Sequence, residues 1–189
     1  MTGTDSARLP KQSTTTGHSA SSRMAPTMLQ LFKRNKGFTF ERTYPAPLEE
    51  VWQAWTRPEL LRQWWGPEGT TIPECEVDLR LGGRFYIVME AGEGMGKYQG
   101  TRWPLEVTFT TIEPRQRLVY EAKSWTEGEQ DATTIQHVNE LELAEVDEGT
   151  AVTLRVAIGD VGSGAKMAAF GMKWGYKAQL DKLEAVLRR

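Results

Sequence analysis

The sequence predicts an α+β domain in which a curved antiparallel sheet of about seven strands wraps around one long C-terminal helix. Three observations carry this expectation. Two short amphipathic runs follow an opening strand, a succession of period-2 segments separated by turn residues fills the middle, and one long helical stripe closes the chain.

The opening strand begins near Gly37, where Phe38 and Phe40 alternate with Thr39 and Glu41, and Pro45 and Pro47 end it. Leu48 to Thr56 reads as a short helix. Pro47 sits at its start, where proline is tolerated, and Leu48, Val51, Trp52 and Trp55 form one face. Pro58 opens a second short helix from Glu59 to Trp65, with Leu60, Leu61, Trp64 and Trp65 inward and Gly66-Pro67 as its stop. Strand patterns follow: Cys75, Val77 and Leu79 alternate with Glu74, Glu76 and Asp78, and Arg84 to Glu90 puts Phe85, Ile87 and Met89 on one face. Gly92, Gly94 and Gly96 mark a hairpin loop before a strand over Lys97 to Glu113, in which Pro104 is expected at an edge or bulge. Arg117 to Trp125 is the next strand, and Thr133 to Glu145 with Thr150 to Ile158 form a closing hairpin. Gly159, Gly162 and Gly164 then break the pattern, and Ala165 to Leu187 reads as one helix with Ala169, Met172, Tyr176, Leu180, Leu183 and Leu187 on a stripe. Gly171 and Gly175 interrupt that helix at a cost of about 1 kcal/mol each. Two explanations stand side by side: close approach to a strand, or a helix thinned beside a cavity.

The chain has 189 residues, 39% hydrophobic and 25% charged, which suits one domain of about 150 residues plus a tail. Residues 1–36 are expected to be a disordered or poorly ordered tail and residues 37–189 the folded domain. The Ser- and Thr-rich stretch to Thr27 also has a loose transit-peptide character, and Met24 and Met28 are alternative starts. With 23 basic against 25 acidic residues, the charge balance gives no footprint for nucleic acid. A single cysteine, Cys75, leaves no internal disulfide and points to a reducing, cytoplasmic setting. No apolar run approaches the roughly 20 residues of a membrane span.

The string from Arg42 to Pro67 resembles a known family opening. It contains Pro45-Ala-Pro47 before Val51-Trp52, then Thr56-Arg-Pro-Glu-Leu60 and Trp64-Trp65-Gly66-Pro67. Asp78-Leu-Arg-Leu-Gly-Gly-Arg-Phe85, Glu113-Pro-Arg-Gln-Arg-Leu-Val-Tyr120 and Gly149-Thr-Ala-Val-Thr-Leu154 follow in the order of that family's later blocks. These segments are similar to the START-like (SRPBCC, birch-pollen-allergen-like) superfamily, in its branch called activator of heat-shock protein 90 ATPase homologue-like. The resemblance implies a helix-grip fold with a hydrophobic cavity between the sheet and the C-terminal helix. It does not imply one activity, since the superfamily includes lipid carriers, aromatase/cyclase-type proteins and chaperone cofactors. Trp103-Pro104 departs from the pattern in a way expected to reshape the cavity mouth.

No catalytic or metal-ligating set emerges from the residues. The histidines are His18 and His137 alone, and Glu74, Glu76 and Asp78 read as the solvent face of a strand. Ser163 lacks the strand–turn–helix frame of a nucleophile elbow, Cys75 and His137 are distant in sequence, and Gly92, Gly94 and Gly96 join strands rather than open a helix. No cofactor is expected. The predicted cavity lining is Phe85, Ile87, Met89, Phe109, Tyr120, His137 and Asn139 from the sheet, with Met167, Phe170 and Trp174 from the long helix. His137 and Asn139 are either polar anchors in an apolar site or residues at a wet strand end.

Three functions compete. The first is non-catalytic binding of a small hydrophobic or aromatic molecule. The second is a chaperone-cofactor domain contacting a chaperone ATPase, for which Trp64-Trp65-Gly66-Pro67 would be an exposed aromatic patch. The third is a cyclase- or hydrolase-like enzyme drawing on His137, Glu106, Arg84 or Tyr120, although strand parity turns Glu106 and Arg84 outward. Exposed sheet edges would permit a homodimer.

Overall fold

The computed structural model describes residues 37–189. Seven strands form one antiparallel sheet: β1 (Gly37–Tyr44), β2 (Thr70–Val77), β3 (Arg84–Ala91), β4 (Arg102–Glu113), β5 (Arg117–Ser124), β6 (Ile135–Val146) and β7 (Gly149–Val161), in the spatial order β1-β7-β6-β5-β4-β3-β2. Helices α1 (Leu48–Thr56) and α2 (Pro58–Trp64) connect β1 to β2, a four-residue α3 (Gln130–Thr133) precedes β6, and α4 (Lys166–Leu187) runs for 22 residues to the C-terminal end. The helix-grip architecture is as the sequence implies. The expectation for residues 1–36 lies outside the described residues.

Each element follows from its local chemistry. α1 buries Val51, Trp52 and Trp55 on the face that helical spacing marks, and α2 carries its proline at the first position. The β6–β7 hairpin turns at Gly149, whose φ of 129° and close approach to the Tyr44 carbonyl leave no room for a side chain. β2 bulges between Thr71 and Glu74, around Pro73.

Three local expectations change. The segment after Gly92 is a 3₁₀ helix, Glu93–Tyr98, so β4 starts at Arg102 rather than Lys97. Leu79 leaves the strand pattern and is exposed beyond the end of β2. Pro104 lies in an internal strand, between β3 and β5, not at an edge. Its carbonyl accepts the Trp125 N–H and the Arg102 carbonyl accepts the Glu127 N–H, so β4–β5 bonding continues past Leu105 and Ser124 and the proline leaves one position there without a backbone donor.

The core lies between the concave face of the sheet and the helices. A continuous chain of rings runs through it: Trp55 to Trp64 at 4.7 Å, Trp64 to Trp65 at 5.3 Å, Trp65 to Phe85 at 5.4 Å, Phe85 to Phe109 at 6.4 Å and Phe109 to Tyr120 at 6.2 Å. Such pairs contribute about 0.5–1.5 kcal/mol each beyond their buried area. The C-terminal half of α4 seals this core with Tyr176, Leu180 and Leu183, and the Tyr44 hydroxyl donates to the Leu180 carbonyl. The convex face is laced with ion pairs, among them Arg102 with Glu74, Glu90 and Glu127, and Arg117 and Arg155 sharing Glu140.

Candidate functional site: a cavity under the N-terminal half of the long helix

One end of the sheet is hollow. A cavity of about 330 Å³ lies where the end of β3, the start of β4, the end of β5 and the start of β6 face the N-terminal half of α4. Met89, Leu105 and Ile135 form its sheet side, and Trp65, Trp103 and Trp125 add aromatic walls. On the helix side the wall is made of small residues: Gly164, Ala165, Ala168, Gly171 and Gly175. Beyond the neighbouring residues and backbone of α4 itself, a Cβ built on Gly171 or Gly175 would meet no atom of the described residues within 4 Å. The close-approach explanation for these glycines therefore fails, and they thin the helix beside the cavity.

The Trp65-Gly66-Pro67 turn closes one side. Gly66 has φ of 78°, and a side chain there would collide with Thr70 Oγ1 and crowd the Met89 sulfur. α4 grips this turn twice: Gln179 Oε1 accepts the Gly66 N–H at 3.1 Å, and Lys182 Nζ donates to the Trp65 and Gly66 carbonyls at 3.3 and 3.1 Å. Burial lowers the Lys182 pKa, with Glu68 acting in the opposite direction.

Two buried polar side chains, His137 and Gln179, stand in a largely apolar wall that also carries the hydroxyls of Ser124, Thr126 and Thr133. His137 is 4% exposed and Gln179 is 6% exposed, and both line the cavity. His137 is held from behind by a short relay: the Tyr176 hydroxyl hydrogen-bonds the Asn139 amide at 2.8 Å, and that amide hydrogen-bonds His137 Nδ1 at 2.8 Å. The hydroxyl at the end of this relay can donate or accept, so the neutral ring can carry its proton on either nitrogen. Burial pushes the His137 pKa down to about 4. The ring is therefore a neutral hydrogen-bonding group at physiological pH. Burial likewise raises the Tyr120 and Tyr176 hydroxyls and holds the Cys75 thiol at about 11, well away from thiolate chemistry.

The structure divides the expected lining residues into three groups. Met89 and His137 line the cavity. Phe85, Ile87, Phe109 and Tyr120 are buried in the packed core beside it, and Asn139 lies fully buried behind His137. Strand parity identifies the concave face but not the position along it, and the hollow occupies only one end. Met167, Phe170 and Trp174 require a correction: they are 79, 79 and 71% exposed, on the outer side of α4. At 3.6 residues per turn these three fall within about 60° of one another, whereas Met172, Tyr176, Gln179 and Leu183 cluster about 180° away. The buried stripe of Tyr176, Leu180 and Leu183 already defined the inner face, and the aromatic trio lies on the other one. Sequence reasoning passed over Gln179, Trp65 and Trp125 as lining residues. Gln179 was detectable from its place beside Tyr176 and Leu183 on the inner arc. Trp103, expected near the mouth, lines the cavity.

Residues 45–188 match the family described as Activator of Hsp90 ATPase homolog 1-like protein. The chain belongs to that family. Among solved structures, a protein from Nitrosomonas europaea is 27% identical with a TM-score of 0.63, the match covering 81% of this chain and 94% of that one. An Arthrobacter aurescens protein solved by NMR is 23% identical with a TM-score of 0.66, covering 80% of this chain and 86% of that one. A Silicibacter pomeroyi protein described as AHSA1 is 22% identical with a TM-score of 0.64, covering 80% and 97%. The latter two likenesses speak to the fold alone. No curated protein matches the sequence. Among the described residues no helix is long and apolar enough to cross a membrane.

Proposed function

We propose that the domain binds a small hydrophobic or aromatic molecule in the cavity between the sheet and α4, without transforming it. The observation that carries this reading is the hollow of about 330 Å³ under Gly171 and Gly175, walled by three tryptophans and aliphatic side chains. Apolar walls with a few fixed polar groups are the usual make-up of small-molecule sites. Two glycines in a helix interior cost about 2 kcal/mol together relative to alanine, and the space they leave is what that cost provides. A cyclase or hydrolase would need a group that exchanges protons near neutral pH, and His137, with its pKa near 4, is poorly matched to that task. The same reading places the domain in a reducing, cytoplasmic setting, with Cys75 as a buried thiol.

The test is a thermal-shift screen of the purified domain against a lipid extract and a set of aromatic compounds, with Gly175→Leu as the blocked control. A ligand at 100 times its Kd stabilises by about 2.7 kcal/mol, so wild type should gain several degrees and the blocked variant none. A screen with no wild-type shift would contradict the reading.

A second reading, a chaperone-ATPase cofactor, has one observation in its favour: the exposed Met167, Phe170 and Trp174 on the outer face of α4. The patch first expected for that role does not exist, because Trp64 and Trp65 are buried. Stimulation of a purified Hsp90-type ATPase by wild type, lost in a Phe170→Ser, Trp174→Ser variant, would favour this second reading.

A further inference from the structure

One of the cavity's polar groups has a fixed direction. Gln179 has no choice of orientation: a backbone N–H can only donate, so the atom that meets Gly66 N–H is Oε1 and the amide Nε2 is left as a donor. That Nε2 is buried and has no partner among the described residues. His137 has no such fixed direction. Its Nδ1 faces the Asn139 amide at 2.8 Å and that amide faces the Tyr176 hydroxyl at 2.8 Å, and because a hydroxyl can donate or accept, the relay runs in either direction and Nε2 is a donor in one tautomer and an acceptor in the other. The rim hydroxyls of Ser124 and Thr126 can donate or accept and so select nothing. Thr133 is already satisfied, donating to the Glu129 carbonyl and accepting the Thr126 N–H. Gln179 Nε2–H is thus a buried donor of fixed direction in the wall, and a buried donor left unmatched is costly.

Resting on the binding reading above, we propose that the ligand is a hydrophobic molecule bearing an uncharged acceptor oxygen of the carbonyl kind, which Gln179 Nε2–H recognises and toward which His137 turns the tautomer that donates. A buried carboxylate would call for a cationic partner. The cavity lining includes no Lys or Arg side chain, and the neighbouring Lys182 spends its ammonium on the carbonyls of Trp65 and Gly66. A ligand ammonium group would leave the Gln179 donor unmatched.

Matched compounds separate this proposal from the binding reading beneath it. Titration calorimetry would compare methyl ketones with their isopropenyl counterparts, in which C=CH₂ replaces C=O at nearly the same shape, on phenyl, naphthyl and cyclohexyl frames. The 2-naphthyl series would add 2-naphthoate and protonated 1-(2-naphthyl)ethylamine. The ketone of the best-fitting frame should bind about tenfold tighter than its alkene, the free-energy equivalent of one to two net hydrogen bonds. In His137→Phe, and separately in Gln179→Met, which removes the donor, the preference should fall below about threefold while the alkene still binds. Circular dichroism and retained alkene binding report that both variants are folded. Equal binding of ketone and alkene by wild type, or tighter binding of the carboxylate or the ammonium compound, overturns the acceptor proposal and leaves the cavity reading standing. No binding by any pair overturns both.

Discussion

Gly171 and Gly175 make a prediction that runs against the usual effect of mutation. Both lie inside the 22-residue α4, neither has a positive φ, and beyond the neighbouring residues and backbone of α4 itself a Cβ on either meets no atom of the described residues within 4 Å. Replacing glycine by alanine in a helix interior gains about 1 kcal/mol, partly by restricting the unfolded chain. No steric term offsets that gain here, so Gly171→Ala, Gly175→Ala should stabilise the domain by about 2 kcal/mol. For a chain of this size each kcal/mol corresponds to about 2–4 °C, so the melting temperature should rise by about 4–8 °C. Urea unfolding followed by circular dichroism would show the midpoint rising at constant slope. The same methyl groups enter the cavity, so the stabilised variant should bind any cavity ligand more weakly than wild type. A double variant no more stable than wild type would show that the helix packs closely at these positions, and the cavity argument would fail with it.

Other expectations follow from burial and from the His137 environment. Burial depresses the His137 pKa from 6.5 to about 4, so the unfolded chain takes up its proton first. The contribution of the neutral ring, about 3 kcal/mol, is complete above pH 6.5 and is lost as pH falls toward 4; the slope of unfolding free energy between pH 7 and 4.5 should be shallower in His137→Phe, and equal slopes would refute the assignment. Phe109→Ala, in the packed core, should cost about 3–5 kcal/mol. Met89→Ala should cost less than about 2 kcal/mol, because the side chain faces empty space on one side, and a measured cost equal to that of Phe109→Ala would mean that the hollow is filled. Phe170→Ser and Trp174→Ser should each change stability by no more than about 0.5 kcal/mol in urea titrations, as expected for exposed positions; a loss of several kcal/mol would place these rings inward after all.

The fold was largely legible because its signals are local. Period-2 alternation, the two proline-opened short helices and the stripe of Tyr176, Leu180 and Leu183 each report which face of an element is apolar. The cavity was less legible because it depends on where along a common face the atoms run out. Phe85 and Met89 share a strand face, yet Phe85 stacks on Phe109 while Met89 borders the hollow. The aromatic residues of α4 misled for a related reason: Met167, Phe170 and Trp174 have core-like chemistry but the wrong helical phase. Gln179 illustrates the remaining gap. Its role depends on meeting Gly66 across 113 residues of sequence, a contact no local pattern encodes.

The central claim is that the space beside Gly171 and Gly175 holds a small molecule. Native mass spectrometry of the gently purified protein tests it most directly, with the denatured chain and the Gly175→Leu variant as references. The account predicts a discrete added mass on the native wild-type protein, released on denaturation and absent from Gly175→Leu. A native wild-type mass equal to that of the bare chain, or an added mass that Gly175→Leu retains in full, would contradict it.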